Sequence, residues 1–130
     1  MERALGRFQS KVPVEPTPIE TGTEATGAKI YTTHDLRALA RVDLISESIA
    51  ENLEVKQDIF RKLDEICDAN TILTTNTSGL SISQIATAVS HPERFAGVHF
   101  FNPPEIVPAV EVIKGAETSY ATCETLIDLL

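Results

Sequence analysis

The 130 residues contain no tryptophan, a single methionine and two cysteines. Cys67 and Cys123 lie far apart and belong to neither a C-x-x-C pair nor a Cys/His cluster, which argues against a disulfide framework or a zinc site and makes a reducing compartment the expectation. No apolar run approaches the roughly 18 residues needed to cross a bilayer, and Arg3, Arg7 and Lys11 precede no apolar leader core. The expectation is a soluble chain that is not secreted, cytoplasmic by default, with mitochondrion and peroxisome left open. Asn76-Thr77-Ser78 matches a glycosylation acceptor, but in such a chain it stays unmodified. Positive charge is also short, with 11 Lys and Arg against 19 Asp and Glu for a net -8. That balance repels phosphate backbones and anionic lipid, so nucleic acid and membrane are set aside as partners, while a local site can still take an anionic cofactor. Glycine is scarce, and the six present spell no G-x-G-x-x-G; Gly22, Gly27 and Lys29 come near a phosphate loop, but Ala28 stands where the lysine belongs.

What is present, 42% hydrophobic and 23% charged, suits one modest core. Between Lys11 and Gly27, Pro13, Pro16 and Pro18 interrupt backbone pairing and apolar residues are sparse, so residues 1–28 read as a linker or disordered arm. From Lys29 onward, short apolar runs alternate with helical periodicity, the pattern of β-α units and a mostly parallel sheet. Strands are expected at Lys29–Thr32, Val42–Ile49, Thr71–Thr75, Ala96–Phe101 and Ala109–Ile113. A short helix is expected at Asp35–Ala40. In the long helix Leu53–Cys67, Val55, Ile59, Leu63, Ile66 and Cys67 recur at three- and four-residue steps as the inward face, leaving Lys56, Asp58, Arg61, Lys62 and Glu65 mostly outward. Ser81 and Gln84 form a capping box for a helix at Ile82–Val89, and Thr118 or Ser119 caps a last helix running to Leu130.

Ligands of parallel α/β sheets bind at the carboxyl ends of the strands, so the polar clusters there attract attention. They are Glu51-Asn52, Asn76-Thr77-Ser78-Gly79 and Asn102-Pro103-Pro104. His99 and Glu111 add an imidazole and a carboxylate on the last two strands, where core positions are ordinarily apolar. Each has an ordinary alternative: a structural histidine, an exposed edge-strand acid, and for Ser78 plain turn chemistry. Together, a carboxylate beside an imidazole favours the charged ring once it has taken a proton, which is general-base chemistry. His34 and His91 read as surface residues.

The segments Glu51 to Lys56 (ENLEVK), Asn76 to Ile82 (NTSGLSI), His99 to Pro104 (HFFNPP) and Val110 to Val112 (VEV), in that order and spacing, resemble the NAD-binding domain of L-3-hydroxyacyl-CoA dehydrogenases. The resemblance covers Lys29 to Leu130 and implies a partial, Rossmann-like, doubly wound α/β fold. It implies NAD as cofactor, an acyl-CoA substrate and oxidation of its 3-hydroxyl. It further implies His99 as catalytic base, Glu111 as the acid that orients it, and Ser78 as a hydrogen-bonding partner of substrate hydroxyl and cofactor. Glu51, Lys56 and Asn102 fall where the family contacts NAD. Gly79 departs from the serine common at its position.

The resemblance also implies parts that these residues do not supply: the first βαβ unit with its glycine-rich turn, the ribose-binding acid, and a helical domain with a catalytic asparagine and dimer interface. The chain by itself is therefore expected to be part of such an enzyme, to bind NAD weakly and to turn nothing over. The Val42–Ile49 strand would lie at a bare sheet edge, able to self-associate. A small hydroxy-acid dehydrogenase of the gulonate 3-dehydrogenase kind, and a non-catalytic remnant that binds a partner through its sheet edge, remain alternatives.

Overall fold

The computed structural model describes residues 17–19, 30–104 and 106–130. Two short strands, β1 (Thr17–Ile19) and β2 (Ile30–Thr32), pair antiparallel, with Thr17 opposite Thr32 and Ile19 opposite Ile30. Thr17–Ile19 is thus extended and paired within the stretch expected to be a linker; the rest of residues 1–28 lies outside the described residues. The expected helix at Asp35–Ala40 is a single 3₁₀ turn, Leu36–Leu39, whose Asp35 side chain accepts the Arg37 amide.

The main sheet contains β3 (Leu44–Glu47), β4 (Ile72–Thr75), β5 (Phe95–Phe100) and β6 (Val110–Lys114), in that spatial order. The first three are parallel because each link carries a helix back across the sheet: α1 (Leu53–Ile66) after β3 and α2 (Ile82–Ala86) after β4. β6 runs antiparallel to β5, so the sheet is mixed and mostly parallel. The last helix, α3 (Tyr120–Leu129), begins where Ser119 accepts the Thr122 amide. Of the two expected caps, Ser119 serves the helix, while Thr118 donates its hydroxyl to the Phe95 carbonyl.

Alternation along the strands sorts the side chains into two layers. Ile45, Leu73 and Phe95 face α1 and α2 and form the larger core with Phe60, Leu63, Ile82 and Ile85. Phe60 and Phe95 meet edge to face, centroids 4.7 Å apart. On the opposite face Ala96 and Val98 pack with Leu126 of α3, joined by Leu44, Ile72, Phe100 and Val112. Helices on both faces make this a Rossmann-like doubly wound arrangement. β3 lies at the edge of the sheet, and a trough of about 490 Å³ lined by Leu44, Ile72, Leu126 and Leu129 among others runs along α3.

The expected inward face of α1 is corrected in part: Leu63 is buried and Ile59 and Cys67 pack against the core as expected. Lys56, Phe60 and Leu63, spaced i, i+4, i+7, are the buried line, and Val55 is 44% exposed. Hydropathy assigns a lysine to solvent; here Glu47, at the end of β3, offers a buried carboxylate that reverses the assignment. Two further boundaries move. The Val42–Ile49 strand shortens to Leu44–Glu47, because the Glu47 carboxylate takes the Ile49 amide at 2.5 Å and turns the chain. The Ile82–Val89 helix ends as an α-helix at Ala86 and tightens, with the Ala88 and Val89 amides reaching Ile85 and Ala86 carbonyls.

At the far end of the sheet, Arg94 donates to the Thr71 carbonyl at 2.6 Å and to Asp64 at 2.7 Å, tying the start of β4 to α1. Gly97 sets the approach of α2 to β5: a Cβ there would stand 2.6 Å from Ile82 Cδ1 and 3.0 Å from Ile113 Cβ. Gly97→Val should therefore overpack the core and cost about 1–3 kcal/mol in urea unfolding. Gly79→Ala, whose Cβ meets nothing within 4 Å, should change stability by less than about 0.5 kcal/mol. Equal midpoints for the two variants would contradict this account of the packing.

Candidate functional site

The carboxyl ends of β3, β4 and β5 open on one side of the sheet, as a parallel arrangement requires. Glu47 and Thr75 are partners in the β3/β4 register, and Thr75 pairs with Gly97, so Glu47, Thr75 and, two residues beyond Gly97, His99 share one face. His99 and Glu111 stand directly opposite each other. Both strand ends were expected to belong to a parallel sheet mouth; the β5/β6 pair is instead antiparallel, and directly opposed residues of such a pair point the same way. His99 Nδ1 lies 2.8 Å from Glu111 Oε2, and His99 Nε2 lies 3.3 Å from Ser78 Oγ. A carboxylate accepts, so Nδ1 is the donor of that bond, and in the neutral ring this leaves Nε2 as the acceptor toward Ser78. The mouth is open: a crevice of about 240 Å³ is lined by Glu51, Asn76, Thr77, Ser78, His99, Phe100 and Asn102.

The Asn76–Gly79 turn that carries Ser78 is held from several sides. The Asn76 amide donates to the Glu47 carbonyl at 2.8 Å. Glu51 Oε1 accepts the Thr77 hydroxyl and the Ser78 amide, the latter at 3.2 Å. The Thr77 oxygen in turn accepts the Gly79 amide at 3.3 Å and the Leu80 amide at 3.0 Å, a hydroxyl-closed turn. The Thr77 hydroxyl is the main reason that the Glu51 carboxyl titrates below its ordinary value of 4.5, with the Gly79 amide, the Lys56 charge and the Ser78 amide adding to it. Glu51 is therefore anionic at neutral pH, and its carboxylate is half exposed at the rim of the crevice.

Of the six candidate residues, Ser78, His99, Glu51 and Asn102 line the crevice, and Glu111 stands behind the His99 ring. Lys56 is placed differently. Its side chain is 0% exposed, its amine bonds both Glu47 oxygens at 2.9 and 3.0 Å and the Asn76 carbonyl at 3.1 Å, and it comes within 3.9 Å of Glu51. It therefore underlies the crevice wall and meets the crevice through Glu51 and Asn76. Sequence reasoning passed over two residues of this network. Glu47 had a visible signal, an acid closing an apolar strand nine positions before a lysine on the next helix; Thr77 lay inside the quoted Asn76-to-Ile82 segment without being assigned a role. Among the described residues no three His, Cys, Asp or Glu side chains gather as metal ligands, and no helix is long and apolar enough to cross a membrane.

Comparison with known proteins agrees with this architecture. The family model described as 3-hydroxyacyl-CoA dehydrogenase, NAD binding domain, matches residues 1–130. The chain is 42% identical over 123 residues to 3-hydroxyadipyl-CoA dehydrogenase of Escherichia coli K12, covering 95% of this chain and 26% of that protein. It is 39% identical over 130 residues to the mitochondrial hydroxyacyl-coenzyme A dehydrogenase of Rattus norvegicus, covering 98% of this chain and 41% of the relative. The crystal structure of 3-hydroxybutyryl-CoA dehydrogenase from Escherichia coli K12 superposes with a TM-score of 0.73 at 46% identity, over 75% of this chain and 21% of that one. The chain thus spans between about a quarter and two-fifths of the length of these two sequence relatives. With the fold, the relatives and the family model in agreement, the chain belongs to the NAD-binding-domain family of the 3-hydroxyacyl-CoA dehydrogenases.

Proposed function

We propose that this chain supplies the proton-transfer half of an NAD-dependent oxidation of a 3-hydroxyacyl-CoA, with His99 as base, Glu111 as its orienting acid and Ser78 as the group that places the substrate hydroxyl. The observation that carries the reading is the Ser78–His99–Glu111 line, 3.3 Å then 2.8 Å, ending at an open crevice. A ring whose Nδ1 proton is held by a carboxylate has one free nitrogen, and Nε2 faces the crevice wall. A hydroxyl near Ser78 gives its proton to Nε2 as the C3–O bond becomes a carbonyl. Glu111 then stabilises the resulting imidazolium. NAD, when bound, supplies the acceptor for the hydride that leaves C3.

The lining bears on how much of NAD these residues would hold. About 240 Å³ is below the roughly 300–1,000 Å³ of a complete small-molecule pocket, so the crevice suits one end of a dinucleotide. Its polar groups, the exposed part of Glu51 and the Asn102 amide, match hydroxyl and carboxamide groups. Among the described residues no cationic side chain lines it, so the described lining offers a pyrophosphate no charged partner. The nicotinamide and its ribose are the portion that fits, held by Glu51, Ser78 and Asn102, with Lys56 acting through Glu51.

Two outcomes follow. Titration of the ¹⁵N-labelled chain with NAD should displace the Ser78, His99 and Asn102 resonances and leave those of Arg94 and Asp64 in place; unchanged spectra at saturating NAD refute the cofactor reading. In a chimera carrying this chain in place of the matching stretch of the Escherichia coli relative, His99→Ala should lower kcat with NAD and a 3-hydroxyacyl-CoA by about 10²–10⁴-fold, as expected for loss of a general base. A chimera variant within a few-fold of its parent would remove His99 from the reaction.

A further inference from the structure

Glu47 and Lys56 form a buried ion pair at the base of the crevice, with side chains 3% and 0% exposed, and neither lines the crevice. Every polar atom of the pair is occupied. Glu47 Oε1 receives Lys56 Nζ at 2.9 Å and the Ile49 amide at 2.5 Å, while Oε2 receives Nζ at 3.0 Å and the Thr75 hydroxyl at 2.6 Å. The ammonium has three protons, and two acceptors are the Glu47 oxygens; the third is the Asn76 carbonyl at 3.1 Å. The Asn76 amide already donates to the Glu47 carbonyl. The residue that opens the serine-bearing turn is therefore gripped through both its N–H and its C=O, and both grips trace back to Glu47.

We propose that Glu47 is a positioning residue: through Lys56 and the Asn76 carbonyl it sets the turn so that Ser78 Oγ meets His99 Nε2. This rests on the functional reading above, since it assigns a means of alignment to the same crevice. Removing the charge of Glu47 leaves a buried ammonium without its partner, and Glu51 is the next carboxylate, 3.9 Å away. Lys56 then competes for the carboxylate that holds the Thr77 hydroxyl and the Ser78 amide. The turn loosens where the serine sits, although the substitution lies outside the crevice.

The test uses the full chain without ligand. In Glu47→Gln, the Ser78 amide and the His99 Nε2 resonance should both move from their wild-type positions. Asp64→Asn, which weakens the Arg94 pair at the opposite end of the sheet, its side chains 7% and 11% exposed, should leave both unmoved. If Glu47→Gln does not fold, the apolar replacement Glu47→Met/Lys56→Met decides instead: it removes both charges together and still deprives the Asn76 carbonyl of its donor. Coincidence of both resonances with wild type in whichever variant folds overturns the proposal. So does an equal displacement in Asp64→Asn, which would mark general loosening. Because no cofactor is added, a wild-type chain that ignores NAD would refute the functional reading alone and leave this comparison intact.

Discussion

The Glu47–Lys56 pair is the constraint from which the rest of the crevice is built. A charge in a sheet core is tolerated when its partner and its remaining hydrogen-bonding positions are all supplied, and losing one member typically costs about 3–5 kcal/mol. Here the supply comes from three separate elements. The end of β3 gives the carboxylate, α1 gives the ammonium, and the end of β4 gives the Thr75 hydroxyl and the Asn76 carbonyl. The pair can be satisfied only when these elements are in register, so it couples the packing of α1 to the position of the loop after β4.

A second constraint comes from the change of direction between β5 and β6. Three parallel strands deliver their ends to one side of the sheet, which gathers Glu51, the serine-bearing turn and the Asn102 loop. The antiparallel return of β6 sets His99 opposite Glu111, a directly opposed pair whose side chains meet at 2.8 Å. One carboxylate thus orients the ring from behind while its other nitrogen faces the crevice. Gly97, two residues before His99, lets α2 lie directly on β5 and keeps the turn that precedes α2 close to the ring.

The two acids beside the turn do different work because their surroundings differ. Glu47 is enclosed and neutralised by Lys56, and it acts on geometry. Glu51 is half exposed, and it receives a hydroxyl and an amide from the turn while keeping an edge toward the crevice. The Thr77 hydroxyl that draws its titration downward is the same group that closes the turn. Order in the turn and charge at its rim are therefore one arrangement.

By itself the sequence determined the alternation of strands and helices, the cap at Ser81, a last cap at either Thr118 or Ser119, and the polar clusters at the strand ends, because these depend on residues close together in the chain. The Glu51, Asn76, His99 and Val110 segments were also enough to indicate the family, since their order and spacing are themselves a property of sequence. Tertiary structure decided what depends on distant neighbours. It turned Lys56 inward, because only a folded β3 presents Glu47 to it, and it set β6 antiparallel, which no local pattern in Val110–Lys114 announces. Hydropathy measures the preference of one side chain for water, and it has no means of representing a partner that arrives from another strand.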